Sequence, residues 1–137
     1  MNRKRMLQIS AAVAAIALAF GAGIAVSQNA PTETKGVKVS PPTALDLGHE
    51  IDGVQGRQLR MRVVTVEPGG VVGIHTHDGR PAVAYVVQGT LTEHREGGGV
   101  YQRHEGESWT EGKGVTHWAE NTGDKPAVVV AVDVFKP

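Results

Sequence analysis

An all-β fold, a single small antiparallel β-barrel, is the fold class that this sequence of 137 residues predicts. From residue 45 onward no stretch of helical length repeats its apolar residues with a period of 3.6. The apolar residues instead alternate or form short β-branched runs, and glycines interrupt nearly every run. Many short strands at close spacing are typical of a sandwich or a barrel, and the length suits a single domain.

The strands are predicted from these runs and from the turn residues that separate them. Pro68-Gly69-Gly70 is predicted to end the first strand, Gln88-Gly89 to form a tight turn, and Gly97-Gly98-Gly99 to join two strands of a hairpin. The predicted strands are 60–66, 71–77, 83–87, 90–96, 100–104, 115–119 and 127–135, with a further short strand around Trp109.

The N-terminus has the pattern of a secretory signal rather than of the barrel. Arg3, Lys4 and Arg5 precede an uncharged apolar run over 9–26, and Ala25-Val26-Ser27 supplies small residues for cleavage. We expect a signal peptide over 1–27 and an exported, periplasmic or secreted protein; an uncleaved membrane anchor or a buried N-terminal helix are the alternatives. Residues 28–44 contain three prolines and are predicted as a flexible segment, a tether or an edge, before a barrel domain over 45–137.

Charge and cysteine content exclude several classes of function. Cleavage after residue 27 would remove three basic residues and leave 11 basic against 14 acidic side chains, a net charge of −3. This mild acidity argues against nucleic acid, which needs a clustered basic surface, and against an anionic membrane as a partner. The chain contains no cysteine, so the fold must be held by core packing, with a metal as a further source of stability.

His75-Thr76-His77 is the first stretch that indicates chemistry. Residues i and i+2 of a strand point to the same side, so both imidazoles project together, roughly 6–7 Å apart at the backbone. Two imidazoles placed in this way can bind one metal ion.

The spacing around this pair resembles the two motifs of the cupin superfamily, over about residues 60–135. For the first motif, Gly69 precedes the histidine pair by five residues, and Gly89 closes it. For the second motif, the matching residues are Gly106, Gly114, His117 and Asn121, with Gly112 in place of a proline. The resemblance implies a cupin jelly roll, a double-sheet barrel, with a metal held inside by His75, His77 and His117. It also implies a structural role for Asn121, and the possibility of a homodimer.

The chain departs from the family pattern at one metal ligand. Ala82 occupies the position of the glutamate in the first motif, with six residues between it and Gly89. This predicts a three-histidine site with an open position, which resembles iron-dependent thiol and diketone dioxygenases of the superfamily. Glu93, His94 and His104 are left open as sources of a fourth ligand or of a hydrogen bond to a histidine, each with a surface position as the alternative. Imidazole suits Fe, Zn, Mn, Ni or Cu, so the divalent transition metal is not identified.

The function expected from these residues is metal binding, with an oxygenase acting on a small organic substrate as the leading hypothesis. An anionic substrate would supply the charge that the missing glutamate does not. A non-catalytic binding or sensing module for a small molecule or metal is the alternative, and a metal-free structural barrel is a third reading. Arg60 and Arg62 share a strand face, which is either solvated or a contact for an anionic substrate inside the barrel. The sequence identifies no general base.

Overall fold

A computed structural model describes residues 29–137, and the signal predicted over 1–27 lies outside the described residues. The described part is almost entirely β-structure, as predicted, with one 3₁₀ turn at Leu47–His49. No helix within these residues is long and apolar enough to span a membrane. The nine strands are β1 Lys35–Val39, β2 Thr43–Asp46, β3 Gln58–Thr76, β4 Ala82–Gln88, β5 Thr90–Arg95, β6 Gly99–His104, β7 Ser108–Glu111, β8 Thr116–Glu120 and β9 Ala127–Phe135.

All strand pairs are antiparallel, and the nine strands form one continuous sheet that curls into a barrel. The strand order is β6-β5-β8-β3-β9-β4-β7, with β1 and β2 added along β3. Strand β3 pairs with β9 over residues 58–66 and with β8 over residues 71–76, so one long strand joins the two halves of the barrel. The antiparallel barrel predicted from the strand pattern is confirmed.

The turn predicted at Pro68-Gly69-Gly70 is wrong, because strand β3 continues through it. Gly69 has a φ of 74° and a Cβ on Gly70 would lie 2.7 Å from the carbonyl oxygen of Gly36. These residues bend the strand and allow β1 to pass close by, instead of reversing the chain. The bend is the place where β3 leaves β9 and joins β8.

The segment predicted as flexible over 28–44 contains strand β1 and the first two residues of β2. Strand β1 and the start of β2 both pair with β3, so ordered structure begins before residue 45, and the edge interpretation is the correct one. Ahead of β1, the carbonyl of Pro31 accepts a hydrogen bond from the Ile74 amide at 2.7 Å, and Thr34 Oγ1 accepts one from the Gly73 amide at 2.9 Å. Gly73 is required here, since a Cβ would lie 2.6 Å from the carbonyl oxygen of Thr32. Residues 29–34 are called the N-terminal strap below.

Alternation along the strands divides the side chains between the barrel interior and its outer surface. On β4, Ala82, Ala84 and Val86 are buried, whereas Val83 and Tyr85 are about half exposed. The inward residues of β3, β4, β5 and β9 form an apolar core around Val66, Val86, Leu91 and Val129. This core occupies one part of the interior, and the remaining space is a cavity of about 380 Å³.

Asn121 is structural, as the motif implied. Its side chain is buried and donates hydrogen bonds to the carbonyls of Val66 and Lys125, both at 2.8 Å. Its Oδ1 accepts from the amide of Gly123 at 2.9 Å. One amide side chain therefore joins β3 to the β8–β9 connection and fixes the strand that carries His117.

Candidate metal centre

The three predicted histidines meet in the cavity at one end of the core. His75 on β3 is the cross-strand partner of His117 on β8, and His77 follows the end of β3 on the same side as His75. The Nε2 atom of His117 lies 3.0 Å from that of His77 and 3.1 Å from that of His75. His77 and His117 are buried, and His75 is partly buried. The i, i+2 alternation and the pairing of β3 with β8 thus place all three rings together.

The hydrogen bonds at the Nδ1 atoms define the state of these rings. Nδ1 of His75 contacts the carbonyl of Gly73 at 2.9 Å, and Nδ1 of His77 contacts the carbonyl of Arg80 at 3.2 Å. Nδ1 of His117 contacts Glu93 Oε1 at 2.8 Å. A carbonyl or carboxylate oxygen only accepts, so each Nδ1 carries the proton. In the neutral ring each Nε2 then presents a lone pair, and the three lone pairs converge.

Burial keeps two of these rings in the neutral form. It lowers the pKa of His75, and the nearby charge of Arg80 lowers it further against the opposing Gly73 hydrogen bond. Burial also lowers the pKa of His77, although the Glu111 carboxylate opposes the shift. Neutral imidazole is the form that binds a metal ion.

The donor set fits a divalent transition metal. A metal–nitrogen bond of about 2.0–2.1 Å allows two ligand nitrogens to be at most about 4.2 Å apart. The two Nε2–Nε2 distances, 3.0 and 3.1 Å, lie within this limit. Converging lone pairs without a donor between them repel one another, and a bound cation would remove that repulsion. Each ring is also oriented by a hydrogen bond at its other nitrogen, as metal-binding histidines usually are.

Glu111 brings a carboxylate to the three histidines, and sequence reasoning did not single it out. Its Oε2 lies 3.2 Å from His77 Nε2, and its Oε1 lies 3.7 Å from His117 Nε2. Glu111 ends β7 and is the direct cross-strand partner of Ala82 on β4. A carboxylate on the neighbouring strand therefore lies beside the position where Ala82 carries none. Glu111 is a candidate fourth ligand next to the three predicted histidines.

Trp109 fixes the position of Glu111. The indole Nε1 of Trp109 donates to Glu111 Oε1 at 2.8 Å, and both side chains are buried. The two residues are i and i+2 on β7, so they face the same side. The alternation of Trp109 and Glu111, together with the unusual burial of a glutamate, is the signal that could have found Glu111. That signal points to the metal centre only when β7 is known to pair with β4. Of the two aromatic residues considered for the cavity wall, Trp109 lines it and Tyr85 faces outward.

Glu93, one of the three residues left open, orients His117 through its Nδ1 atom. Its carboxylate accepts from His117 Nδ1 and Arg95 Nε at one oxygen, and from Arg103 Nε and Nη2 at the other. Four donors occupy the lone pairs of this carboxylate. Burial by itself would raise the pKa of Glu93, but the hydrogen bonds from His117, Arg95 and Arg103 lower it to about 2. Glu93 is therefore ionised and already saturated, and Glu111 is the better placed carboxylate for an ion.

The other two residues left open lie outside the cavity. His94 stacks on Trp118 with ring centroids 3.7 Å apart and contacts Glu120 Oε1 at 2.9 Å through its Nε2. His104 is exposed and contacts Thr90 Oγ1 at 3.3 Å. Neither residue contributes to the histidine cluster. Trp118 faces away from His117, as alternation predicted, and packs on the outer surface.

An arginine cluster adjoins the cavity on the side of β3 and β9. The buried Asp133 carboxylate accepts hydrogen bonds from Arg60, Arg62 and Arg80 at 2.7–3.1 Å. Burial on its own would raise the pKa of Asp133, but these arginines lower it. Arg60 and Arg62 face the barrel interior and are mostly buried, so the solvated-face interpretation is wrong.

Comparison with known proteins gives a family for this architecture. A family model described as a cupin domain matches residues 62–134, which include all three histidines and Glu111. No curated protein sequence matches the chain.

Several solved structures share the fold at low sequence identity. A Klebsiella pneumoniae protein with a double-stranded β-helix domain is 24% identical, covering 57% of this chain and 68% of its own, with a TM-score of 0.53. A predicted oxalate decarboxylase from Thermotoga maritima is 23% identical, covering 80% and 96%, with a TM-score of 0.55. A sugar phosphate isomerase of the cupin superfamily from Silicibacter pomeroyi is 20% identical, covering 77% and 73%, with a TM-score of 0.51. At these identities the likeness is one of fold.

Proposed function

The chain belongs to the cupin domain family, and we propose that it binds one divalent transition metal and acts on a small organic molecule in the barrel cavity. His75, His77 and His117 would hold the ion, with Glu111 as a carboxylate ligand. The observation that carries the proposal is the set of Nδ1 hydrogen bonds, which direct three Nε2 lone pairs to one place. A metal-dependent oxygenase is the reaction class we propose first.

The bound metal would supply Lewis-acid or oxygen-activating chemistry at its open positions. The chain's own residues hold and surround that position. Glu93 keeps the proton of His117 on Nδ1, and Trp109 keeps one oxygen of Glu111 directed at the cluster. Apolar side chains including Val64, Leu91 and Val129 line the cavity and limit the access of water.

Metal analysis of the purified protein is the first test. We expect close to one equivalent of a transition metal per chain and a lower melting temperature after chelation, because a ligand at 1,000 times its Kd stabilises the folded state by about 4.1 kcal/mol. Less than a tenth of an equivalent after incubation with Fe(II), Mn(II), Zn(II), Ni(II) or Cu(II), with no change on chelation, would contradict the proposal.

Oxygen consumption separates the enzyme from the binding module. Iron-loaded protein would be assayed with diketones, thiols and phenols, and with small carboxylic acids. Turnover that requires both the iron and His117 supports the oxygenase. Metal binding without turnover on any of these substrates favours the second candidate, a module that binds a small molecule, for which the cavity of about 380 Å³ beside the histidines provides the supporting observation.

Export from the cytoplasm remains part of the proposal, based on residues 1–27. Mass spectrometry of the mature N-terminus in the exported fraction tests it. A chain that begins at residue 1 and stays with the cytoplasm would contradict it.

A homodimer is the assembly we propose. Met61, Val132 and Val83 lie side by side on the outer face, because Val132 pairs with both of the others, and Tyr85 beside Val130 continues this face. Met61, Val83 and Tyr85 are each about half exposed. An uncharged apolar area of this kind marks an interaction surface, and a second copy presents the same surface. We expect light scattering to give a dimer mass for the native protein and a monomer mass for Tyr85→Lys; a native monomer at micromolar concentration would contradict the assembly.

A further inference from the structure

The two buried carboxylates beside the histidines lie on strands that are not paired with each other. Glu93 is on β5, which pairs with β6 and β8, and Glu111 is on β7, which pairs with β4. Strands β6 and β7 are the two ends of the strand order, and no ladder joins them within residues 29–137. Direct strand pairing therefore does not set the position of Glu93 relative to Glu111, and side-chain contacts have to do so.

These two carboxylates lie close together in a buried place. Glu93 and Glu111 are 1% and 7% exposed, and an oxygen of one lies within 4.8 Å of an oxygen of the other. Two negative charges at this distance repel each other, and burial strengthens the repulsion because water screens it less. A buried carboxylate needs hydrogen bonds and positive charge nearby to offset the cost of its burial.

Arg103 on β6 contacts one of these carboxylates and the side chain that holds the other. Its Nε and Nη2 atoms donate to Glu93 Oε2 at 2.9 and 2.6 Å. Its guanidinium carbon lies 5.1 Å from the ring centroid of Trp109, whose indole N–H donates to Glu111. A cation over the face of an indole is attracted to the ring. Arg103 thus joins the carboxylate that orients His117 to the indole that orients Glu111.

The Arg103 side chain is itself held in place. The ring of Tyr101, two residues earlier on β6, lies 4.7 Å from the same guanidinium carbon, and its hydroxyl donates to the carbonyl of Gly98 at 2.7 Å. The side chain of Arg103 is only 18% exposed. Arg95, the second arginine on Glu93, instead donates its Nη2 to a backbone carbonyl of β7. Arg103 is therefore the arginine whose contacts lead to the side chains on both strands.

We propose that Arg103 is a positioning residue of the metal centre. It acts on His117 through Glu93, and on Glu111 through Trp109. One guanidinium thereby sets two of the four proposed ligands, which come from strands that do not pair with each other. This role rests on the proposed function, because His117 and Glu111 are the ligands proposed there. The contacts through which Arg103 acts do not require a bound ion.

Removing the guanidinium should weaken metal binding, measured by competition with a chromogenic chelator. Arg103→Gln should lower metal affinity about tenfold, the lower end of the range for residues that support a ligand. Arg60→Gln is the matched control, because it removes an arginine from the buried Asp133 carboxylate instead, and it should change the affinity less than about twofold. Arg103→Lys keeps the positive charge, should fall between the native chain and Arg103→Gln, and serves if the glutamine variant does not fold. Native affinity in both Arg103 variants would overturn the proposal.

Combined variants separate positioning from a general effect on stability. In a Glu93→Ala chain and in a Glu111→Ala chain, Arg103→Gln should lower metal affinity only about threefold, because one of its two routes to a ligand is already lost. A loss of stability alone would give the same fall in every chain. A full tenfold fall in either chain would overturn the proposal.

The tryptophans provide a measurement that needs no metal. Trp109 and Trp118 are the only two in the chain, so a nitrogen–proton correlation spectrum contains two indole signals, which Trp109→Phe assigns. In the chelated protein, Arg103→Gln should speed the exchange of the Trp109 indole proton with solvent at least about threefold. Trp118 packs on the outer surface, and its exchange should not change. Unchanged exchange at Trp109, or an equal increase at Trp118, would overturn the proposal.

Failure of the metal site and failure of the Arg103 role give different results. A chain that takes up no metal, but in which Arg103→Gln speeds exchange at Trp109 alone, would contradict the proposed function and keep Arg103 as the residue that positions Glu111. One equivalent of metal, with native affinity in both Arg103 variants, would contradict the role of Arg103 and leave the metal centre in place.

Discussion

Two histidine–glutamate pairs lie on opposite sides of the same two strands, β5 and β8. Their contact distances are nearly equal, but the pairs differ in burial and in the histidine nitrogen that contacts the glutamate. The inner pair joins His117 Nδ1 to Glu93 Oε1 at 2.8 Å, and the outer pair joins His94 Nε2 to Glu120 Oε1 at 2.9 Å. The inner side chains are 5% and 1% exposed, whereas the outer ones are 21% and 28% exposed.

The nitrogen that each glutamate contacts is the informative difference. In the inner pair Glu93 contacts Nδ1, so the Nε2 atom of His117 is directed toward two other histidines. In the outer pair the glutamate contacts Nε2 itself, and Trp118 stacks on the ring. A histidine–glutamate contact by itself does not indicate a metal site. The free nitrogen and its surroundings decide whether the ring can bind an ion.

Replacing the two histidines should give the largest contrast. His117→Ala removes a ligand and should reduce metal affinity by more than the 10–100-fold that is typical of a residue behind a ligand. His94→Ala should leave the affinity unchanged, because the ring lies outside the cavity. Competition with a chromogenic chelator measures both variants. Equal losses in the two variants would mean that the inner cluster does not hold the metal.

The same contrast should hold, at a smaller size, for the glutamates. Glu93→Gln weakens the acceptor that fixes the His117 tautomer and should reduce metal affinity about 10–100-fold. Glu120→Gln makes the same chemical change in the outer pair and should have no effect on the metal. Circular dichroism of each variant checks that the fold is retained. An unchanged affinity in Glu93→Gln would exclude its orienting role.

Moving the carboxylate from β7 to β4 tests whether a carboxylate at this place is a ligand of the inner site. Glu111→Ala removes a proposed ligand and should reduce metal affinity by at least about 100-fold, the upper end of the range for a residue behind a ligand. Adding Ala82→Glu to that variant should recover most of the loss, because residues 82 and 111 face each other across β4 and β7. Affinity in the double variant that stays as low as in Glu111→Ala would mean that position 82 cannot reach the ion.

The smallest expected effect belongs to the outer pair and concerns stability. His94→Ala removes a partly exposed contact with Glu120 and a stacked ring, which together contribute roughly 1 kcal/mol. In a domain of this size that corresponds to a fall in melting temperature of about 4–8 °C. Thermal unfolding of the chelated protein measures it without a contribution from metal. A fall above about 15 °C would show that the outer pair is central to the fold.

The sequence predicted what depends on local periodicity and spacing. Alternation placed His75 and His77 on one side, and the motif spacing added His117. Glu111 could not be found in this way, because its place beside the histidines depends on the register of β7 against β4, which are 20 or more residues apart in sequence. Pro68-Gly69-Gly70 was interpreted as a turn because its local propensity favours one, and the long-range pairing of β3 with β8 and β9 overrides that propensity.

The arginines show the same limit of local patterns. Arg60 and Arg62 lie on one face of β3, as alternation predicted, but the pattern did not say which face. Asp133 decides this, since it lies on β9 directly opposite Arg60 and is buried. A charged strand face can point inward when a buried carboxylate far along the chain pairs with it.

The N-terminal strap borders both the cavity of the three histidines and the surface around His94, and this has a practical consequence for purification. Thr32 and Thr34 line the cavity of the inner cluster, whereas Asn29 and Ala30 border a second cavity beside His94 and Trp118. A recombinant fusion joined just ahead of residue 29 would begin a few residues from the threonines that line the histidine cavity. A polyhistidine tag there would offer competing imidazoles, so metal stoichiometry should be measured on protein from which an N-terminal tag has been removed.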